Sequence, residues 1–464
     1  MGAARAGRAA AAPCRLQRRT GLGKSKTRSR SAGMAWLAAY ALFIGAMPFI
    51  AAVDHDRRGR EFLLEFSVAL GFIGLAMLWL QFALTARFRW VAPGSGLDTL
   101  MQVHRQAGIS AFALVLAHPV LAIAANDRFV HFLNPGHGVA RAVALWVMLI
   151  ALVAILGSSL WRKKLGLRYE WWRLAHAVLA TGIVFIGLVH VLRVGFYIDD
   201  PWKQALWSGL TAAAIGLLGY TRVVRPLRMW RKPYRVTEVR REPGSSWTVV
   251  LEPVGHPGMR FAPGQFAWVT IRASPFSLEQ HPFSFASSAE AAGRLEFTIK
   301  ELGDWTAKVG QVPVGTTAYL DGPYGAFTVS ETAERIVGIA GGVGITPIMS
   351  ILRTWRDRGD RRPAALLYAA GTLEGMVYRE ELEAMARERG LELTLLPREA
   401  PPGWTGPAGL PDEGLIRGLV ERQGTQGTQY LVCGPPPLMD LAERTLLAAG
   451  VPASAIRAER FDIA

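Results

Sequence analysis

Six apolar runs before residue 225 constrain this chain more than any other feature of its sequence. They cover roughly residues 34–53, 62–86, 104–125, 139–160, 172–194 and 203–221. A helix needs about 20 apolar residues to cross a hydrocarbon core of ~30 Å, and a soluble helix rarely stays apolar around its whole circumference over that length. Residues of the set AVILMFWYC make up 51% of the chain and charged residues 19%, which excludes a disordered protein. We therefore predict six membrane helices.

The distribution of Lys and Arg predicts how these helices are oriented. The formal net charge is +16, and the first 30 residues supply nine positive side chains and no acidic one. Positive residues also follow the second, fourth and sixth apolar runs, whereas the first and fifth connections are mixed in sign. Because cytoplasmic loops carry an excess of Lys and Arg, we predict a multi-pass protein of the cell membrane with both termini cytoplasmic. Residues 1–33 are then a basic cytoplasmic tail; a signal peptide is the alternative, but no small-residue cleavage site follows the apolar run.

Cysteine usage limits the metal chemistry of the chain. Only Cys14 and Cys433 are present, so the chain cannot build a disulfide framework or a zinc or iron–sulfur site ligated by cysteine. Any redox metal must be held by other ligands. Because membrane spans follow the basic tail, we expect no nucleic-acid partner.

Four histidines lie within the predicted spans. His104 and His118 belong to the third span, and His176 and His190 to the fifth. The 14-residue spacing returns each pair to one helix face and separates its members by ~21 Å along the axis. Since the two spans run in the same direction, His104 should lie level with His176, and His118 with His190.

Two levels of paired histidines favour two b-type haems. Neutral imidazoles are suitable axial ligands for haem iron, and ionisable residues at membrane depth are candidates for function. The alternative is four unrelated histidines that form hydrogen bonds within a helix bundle, but the repeated spacing favours pairs. The remaining histidines lie outside the spans: His55, His131, His137, His256 and His281. His131 and His137 in the outer connection are candidates for metal capture, although solvated loop histidines are more common.

The second half of the chain has the pattern of two soluble domains. Short β-rich runs (YRVTEVRR, SWTVVLEPV, QFAWVTIR, RLEFTIKEL and TTAYLDGPYG) predict an antiparallel barrel. The segment HPFSFASS begins at His281, and Gly303-Asp304-Trp305-Thr306 predicts a short helix opening at Thr306, where free amides favour a pyrophosphate. From Arg335, a strand, the glycine turn GGVGITP and a helix are followed by alternating β and α segments, which predict a parallel sheet.

In this order, the spans, the histidine pairs, HPFSFASS, GGVGITP and CGPPPLM resemble the ferric reductase and NADPH oxidase superfamily. The resemblance covers about residues 34–464. It implies an all-α six-helix transmembrane bundle at 34–225 that holds two b haems, an antiparallel β-barrel FAD-binding domain at 232–330, and an α/β parallel-sheet NAD(P)-binding domain at 335–464.

The same resemblance implies roles for individual residues of the flavin domain. His281 would mark a preference for FAD, Ser284 would bond near the reactive flavin nitrogen, and Pro282 and Phe283 would shape the wall; Phe283 is alternatively ordinary barrel core. Gly303 and Thr306 match the pyrophosphate loop, although Trp305 departs from the family pattern. Phe461 stands where an aromatic covers the flavin, while Ile463 replaces a second aromatic of many relatives.

For the nucleotide domain, the resemblance places Gly342, Gly344 and Thr346 nearest the coenzyme. Cys433 and Gly434 would lie beside the nicotinamide, and Cys433 is alternatively a buried residue at a strand end. Arg398 stands where relatives grip the 2′-phosphate of NADP, with Pro397 in place of a serine. NADPH is therefore favoured over NADH.

These roles predict an enzyme that passes electrons outward. The path runs from NADPH to FAD, to a haem at His104 and His176, to a haem at His118 and His190, and to an acceptor such as a ferric chelate or oxygen. No catalytic side chain is required for the haem steps. The alternative is a transporter or channel with a regulatory nucleotide domain, in which the histidines carry protons.

Overall fold

The computed structural model describes residues 25–54, 60–88, 97–291 and 293–461. Most of the basic tail, Cys14, His55 and Ile463 lie outside these ranges. The described chain contains a helical N-terminal half, an antiparallel β-barrel and a parallel sheet flanked by helices. This arrangement confirms the predicted fold class.

The described residues of the N-terminal half include six long α-helices and one short α-helix. They are α1 (Ser25–Ala52), α2 (Phe62–Thr85), α3 (Leu97–Ala125), α4 (Val139–Trp161), α5 (Tyr169–Val194), α6 (Pro201–Gly219) and α7 (Arg225–Trp230). Within the described ranges, α1 to α5 are long and apolar enough to cross a membrane. The sixth helix carries the polar pair Lys203 and Gln204 in its first turn and falls short of that hydropathy, so its membrane span stays a prediction.

Close packing of α2 against α3 depends on glycine. A Cβ added at Gly74 would lie 2.6 Å from Cγ2 of Val115, so a side chain there would push the helices apart.

The long helices also expose large apolar side chains, such as Phe49 of α1 at 76% and Ile150 of α4 at 64%. Helices that are apolar on both the packed and the exposed face are those expected in lipid.

The barrel is a six-stranded antiparallel sheet with the order β4-β3-β6-β1-β2-β5. Its strands are β1 (Tyr234–Glu242), β2 (Ser246–Pro253), β3 (Phe266–Ile271), β4 (His281–Ser284), β5 (Leu295–Lys300) and β6 (Thr317–Tyr324). A bridge between Phe285, just after β4, and Phe297 in β5 joins the two ends of the sheet. Inward side chains such as Val249, Val269 and Phe297 are fully buried and form its core.

The C-terminal domain is a five-stranded parallel sheet with the order β11-β10-β7-β8-β9. Its elements are β7 (Arg335–Gly341), α8 (Ile345–Asp357), β8 (Ala364–Thr372), α9 (Arg379–Arg389), β9 (Glu392–Glu399), α10 (Glu413–Gln423), β10 (Thr428–Cys433), α11 (Pro436–Ala448) and β11 (Ile456–Glu459). Both faces of the sheet carry a buried apolar core. From β7 the chain adds β8 and β9 on one side of the sheet, and it then adds β10 and β11 on the other side. The strand order therefore changes direction between the neighbouring parallel strands β7 and β10, and open α/β sheets bind ligands at such a point.

The barrel docks on the membrane helices through a buried ion-pair network. Asp321 of β6 accepts from Arg87, which follows α2, at 3.3 Å and from Arg225 of α7 at 3.5 Å. Arg87 also lies over the Trp268 ring at 3.9 Å. Burial lowers the pKa of the Arg87 guanidinium, while the Asp321 carboxylate opposes that change. The hydroxyl of Tyr324 donates to Asp321 at 2.7 Å, and burial together with that carboxylate raises the pKa of Tyr324.

Candidate functional site

The two levels of membrane histidines are ring pairs. The ring centres of His104 in α3 and His176 in α5 are 6.2 Å apart, and those of His118 and His190 are 6.3 Å apart. Two imidazoles bound on opposite sides of one metal ion have ring centres about 6 Å apart, because each bond is ~2 Å and each centre lies ~1.1 Å behind its nitrogen. Both pairs therefore have the separation that axial ligands of one iron require.

Hydrogen bonds orient two of these imidazoles. Nδ1 of His118 lies 2.9 Å from the carbonyl oxygen of Ser67 and therefore donates to it. The hydroxyl of Ser159 donates to the Ile155 carbonyl and lies 3.3 Å from Nδ1 of His176, from which it accepts. In both rings the remaining nitrogen, Nε2, is left with its lone pair, which is the form that binds a metal.

A cavity of about 110 Å³ is lined by both rings of the second pair, His118 and His190. Gly71 of α2 and Gly187 of α5 line it, and a Cβ added at Gly71 would lie 3.2 Å from the His118 ring. At its mouth, Arg60 is bonded to Glu65 at 3.0 Å and lies over the Phe196 ring at 3.9 Å. The absence of side chains at the two glycines leaves space for a flat apolar group beside the imidazoles.

No protein cluster of three or more His, Cys, Asp or Glu side chains capable of holding a metal ion occurs in the described ranges. A haem needs only two protein ligands, because its four pyrrole nitrogens complete the coordination of iron. At the pair of His104 and His176, Nδ1 of His104 and the indole nitrogen of the nearby Trp172 are buried and have no partner within those ranges. Unsatisfied donors of this kind fit a site that a polar-edged cofactor completes.

A larger cavity of about 1180 Å³ lies between the barrel and the connection from α4 to α5. Most of the residues that the sequence assigns to the flavin line it: His281, Pro282, Phe283, Ser284, Gly303, Thr306 and Phe461. Thr346 of the nucleotide domain lines it as well. The structure thus brings the predicted flavin residues and one predicted coenzyme residue to a single cavity.

One wall of this flavin cavity is a stack of rings. The Trp305 ring lies 4.4 Å from that of His281 and 5.7 Å from that of Phe283. Burial lowers the pKa of His281, which keeps its ring neutral near pH 7. Trp305, which departs from the family pattern, is therefore part of the wall.

Several buried polar atoms of the barrel have no partner in the described chain. They are Nε2 of His281, Oγ of Ser284, Nε1 of Trp268 and Oγ1 of Thr270. His281, Ser284 and Trp268 line the flavin cavity. Their unpaired polar atoms can form hydrogen bonds there with a bound ligand or with water. Sequence reasoning missed Trp268, because nothing in the run QFAWVTIR separates it from ordinary strand residues.

The predicted pyrophosphate loop is closed by Thr306. Its hydroxyl oxygen accepts from the backbone amides of Leu302 and Gly303, both at 2.9 Å, and a short helix opens at this residue as expected. The hydroxyl therefore fixes the shape of the loop. Lys308, in the same short helix, also lines the cavity and supplies a positive charge.

Two glycine segments meet at the ends of β7 and β10. Gly342 has φ of +54°, which favours glycine. A Cβ added at Gly344 would lie 2.3 Å from the Cys433 carbonyl oxygen, and one at Gly434 would lie 2.9 Å from the Gly341 amide nitrogen. The segments GGVG and CGPP therefore pack backbone against backbone, which accounts for Gly344 and Gly434 by packing. Cys433 itself is fully buried.

Arg398 and Phe461 lie at the periphery of the site. The Arg398 side chain is 60% exposed and pairs with Glu399 at 2.9 Å, outside the flavin cavity. Phe461 is 45% exposed at the cavity edge. The preceding Arg460 pairs with Asp440 of α11 at 2.7 Å, which holds the C-terminal segment in place.

Aromatic side chains connect the flavin cavity with the inner histidine pair. Tyr169, at the start of α5, lines the cavity, and its ring centre is 5.8 Å from that of Trp172. Trp172 in turn lies 5.3 Å from His176. Arg173 donates to the Leu278 carbonyl of the barrel. Sequence reasoning missed these residues because their importance depends on where the barrel docks.

The three parts of the chain match three known families. Residues 70–187 match the family described as ferric reductase like transmembrane component, residues 252–328 match an FAD-binding domain family, and residues 339–444 match the oxidoreductase NAD-binding domain family. The chain has the domain architecture of the ferric reductase and NADPH oxidase superfamily. The chain thus joins a membrane domain to an FAD-binding module and an oxidoreductase NAD-binding module.

Similar proteins match about half of this chain or less. The reductase component of propane 2-monooxygenase from Mycolicibacterium goodii is 32% identical over 218 residues, which are 46% of this chain and 62% of that protein. NADH-cytochrome b5 reductase 1 from Laccaria bicolor is 32% identical over 166 residues, 34% of this chain and 54% of that protein. The chain thus spans less than two thirds of the length of these curated relatives. The FAD/NAD-binding domain of a nitric oxide dioxygenase from Vibrio cholerae is 22% identical, with a TM-score of 0.44, and the match covers 49% of this chain and 98% of that domain.

Proposed function

We propose that this chain is a transmembrane oxidoreductase that passes electrons from cytoplasmic NADPH through FAD and two bis-histidine b haems to an acceptor on the outer side. A ferric chelate or molecular oxygen is the expected acceptor. The observation that carries the proposal is the separation of the two ring pairs, 6.2 Å and 6.3 Å, stacked along the same two helices. The flavin cavity at the inner end supports it.

The cofactors supply the redox chemistry: a nicotinamide gives two electrons as hydride, a flavin exchanges one or two, and a haem accepts one. The side chains bind and orient. Imidazoles on both faces of each haem would leave no open position at iron, so the protein would favour electron transfer over binding of a substrate at the metal. The ring wall of His281, Phe283 and Trp305 would hold the flavin ring, and Phe461 would limit access of water.

The choice of coenzyme rests on Arg398. Its exposed guanidinium at the end of β9 is free to approach a 2′-phosphate once the Glu399 contact is exchanged. The Laccaria bicolor relative is named for NADH, and NADH is accordingly the alternative coenzyme.

Cofactor analysis of the purified, detergent-solubilised protein tests the proposal. We expect about two b haems by pyridine haemochrome and about one FAD by acid extraction per chain, with low-spin spectra typical of two axial imidazoles. Anaerobic NADPH should then reduce flavin and haem in turn. A chain that bound FAD without haem would disprove the electron path. A chain with neither cofactor would favour the transporter alternative, in which the histidines carry protons.

A further inference from the structure

A third histidine pair lies outside the membrane helices. His131 and His137 belong to the connection between α3 and α4, both side chains are exposed, and their ring centres are 4.3 Å apart with an angle of 30° between the planes. The charge distribution of the sequence assigns this connection to the outer side. The proposed electron path does not use these two residues.

The ring centres of His131 and His137 are closer together, at 4.3 Å, than those of the membrane pairs, at 6.2 Å and 6.3 Å. The shorter distance corresponds to a different angle between two ligands of one metal ion. If each ring centre lies ~3.1 Å from a shared ion, ring centres 4.3 Å apart subtend about 90° at that ion. Adjacent positions of a square-planar or octahedral ion have this angle, whereas a tetrahedral ion would require ring centres about 5 Å apart. The pair is therefore spaced for adjacent ligands of one transition-metal ion.

The backbone that carries the two rings is fixed from both sides. Nη2 of Arg141, in the first turn of α4, donates to the carbonyl oxygens of His131 at 3.2 Å and His137 at 3.1 Å. The Asn134 side chain accepts from the Gly136 amide at 2.8 Å, and the Trp146 indole donates to the Leu133 carbonyl at 3.0 Å. A single arginine thus ties both histidine backbones together, so the pair is preorganised and little ordering is required for binding.

We propose that His131 and His137 form a binding site for a divalent transition-metal ion on the outer face, with Cu(II) the preferred ion. Affinity at nitrogen sites rises toward Cu(II) in the first-row series, and Cu(II) favours tetragonal geometry. The described residues offer no third His, Cys, Asp or Glu in a common cluster, so water or a ligand brought by the metal would complete the coordination. The site is consequently open and exchangeable.

Copper titration of the whole protein, purified without a histidine tag and treated with a chelator, tests the site. The titration contains no coenzyme, so its outcome does not depend on the proposed electron path. We expect one Cu(II) per chain with an electron paramagnetic resonance spectrum that shows two nitrogen ligands. His131→Ala and His137→Ala should each weaken binding at least about tenfold, which is ~1.4 kcal/mol, and Zn(II) should bind more weakly than Cu(II).

His256→Ala is the matched control. This histidine also lies outside the membrane helices, but its Nε2 is bonded to the Pro233 carbonyl at 2.8 Å and its Nδ1 accepts from the Gly258 amide at 3.2 Å. Its replacement should leave Cu(II) binding unchanged. Flavin absorbance reports whether each variant is folded. If the double variant His131→Ala/His137→Ala bound Cu(II) with the wild-type stoichiometry and affinity, the proposed site would be wrong.

Discussion

At the scale of single residues, hydrogen bonds determine which nitrogen of an imidazole is available to a metal. Nδ1 of His118 is engaged by the Ser67 carbonyl and that of His176 by the Ser159 hydroxyl. Each ring then presents a neutral Nε2, and such outer bonds also increase ligand basicity. Neutral ligands avoid the cost of a charge at membrane depth. A haem held this way needs no buried cation or anion from the protein.

Replacement of an inner ligand should separate the two halves of the electron path. In His176→Ala we expect haem content to fall from about two to about one per chain, because a haem with one axial ligand is held weakly. NADPH should still reduce FAD, while reduction of an external acceptor stops. Pyridine haemochrome analysis and anaerobic flavin absorbance measure the two effects, and His104→Ala should behave in the same way.

Ser159→Ala is the control for that substitution. It removes the hydrogen bond to His176 but keeps the ligand, so both haems should be retained and only the midpoint potential of the inner one should shift. Two low-spin haems with unchanged spectra in both His176→Ala and His104→Ala would show that the ligand assignment is incorrect.

Arg398 should discriminate between the two nicotinamide coenzymes. A charge-assisted hydrogen bond contributes roughly 1.5–3 kcal/mol, so Arg398→Ala should raise the Kd for NADPH about 10- to 100-fold and leave NADH nearly unaffected. Arg422→Ala is a suitable control, since Arg422 is another exposed arginine of the same domain and pairs with Glu392 at the opposite end of β9. Equal weakening of both coenzymes in Arg398→Ala would mean that the residue does not contact the 2′-phosphate.

Residues with periodic spacing were easier to predict than residues that act through tertiary contacts. The interval of 14 between histidines is sufficient to place each pair on a helix face. The stacking of Trp305 on His281, by contrast, joins two segments separated by a strand. The packing of Gly344 against the Cys433 carbonyl likewise exists only after β7 and β10 pair. No local pattern encodes such contacts.

At the scale of elements, the strands and helices follow the sequence pattern closely. The β-rich runs correspond to β1, β2, β3, β5 and β6, and HPFSFASS contains β4. Apolar content alone identifies α1 to α5 as membrane spans. It is a weaker signal for α6, because the first turn of that helix contains Lys203, which is fully buried and paired with Asp200. Docking between elements could not be predicted, because Asp321 and Arg87 are 234 residues apart.

The ion pairs of Asp321 should control how firmly the barrel rests on the membrane helices. Removing one partner of a buried pair typically costs about 3–5 kcal/mol, because the remaining charge is left unpaired. In Asp321→Asn we therefore expect reduction of the haems by NADPH to slow at least about tenfold, while reduction of the flavin keeps its wild-type rate. Stopped-flow absorbance resolves the two steps.

Asp360→Asn provides the comparison for that variant. Asp360 also pairs with an arginine, Arg362, at 2.5 Å, but this pair is more exposed and both residues lie within the nucleotide domain. The Asp360→Asn substitution should leave the rates of flavin reduction and haem reduction unchanged. An Asp321→Asn protein with normal haem reduction would show that docking does not depend on this carboxylate.

At the scale of the whole molecule, the contacts of the barrel agree with the distribution of positive charge. Arg87 after α2, Arg173 near the start of α5, and Arg225 after α6 all contact the barrel. The connections that are rich in positive residues therefore face the same side as the two soluble domains. The excess of Lys and Arg predicts that this side is the cytoplasmic one.

Sealed vesicles should reveal the direction of electron flow. Inside-out vesicles should consume added NADPH, because the nucleotide domain then faces the medium. Intact cells should reduce an impermeant external acceptor without consuming external NADPH. A C-terminal reporter measures the topology independently, and activity of that reporter only on the outer face would reverse the assignment of inner and outer histidine pairs.

The connection between α4 and α5 forms part of the wall of the flavin cavity through Arg162 and Arg168, and the first turn of α5 continues it through Tyr169 and Glu170. A donor and an acceptor that share one covalent chain and one cavity wall meet at a fixed effective concentration, which does not depend on how many molecules are present. A reductase that must find a separate partner slows as the solution is diluted. In this chain, transfer from the flavin domain into the membrane should follow first-order kinetics, with a rate constant that stays the same from micromolar to nanomolar protein.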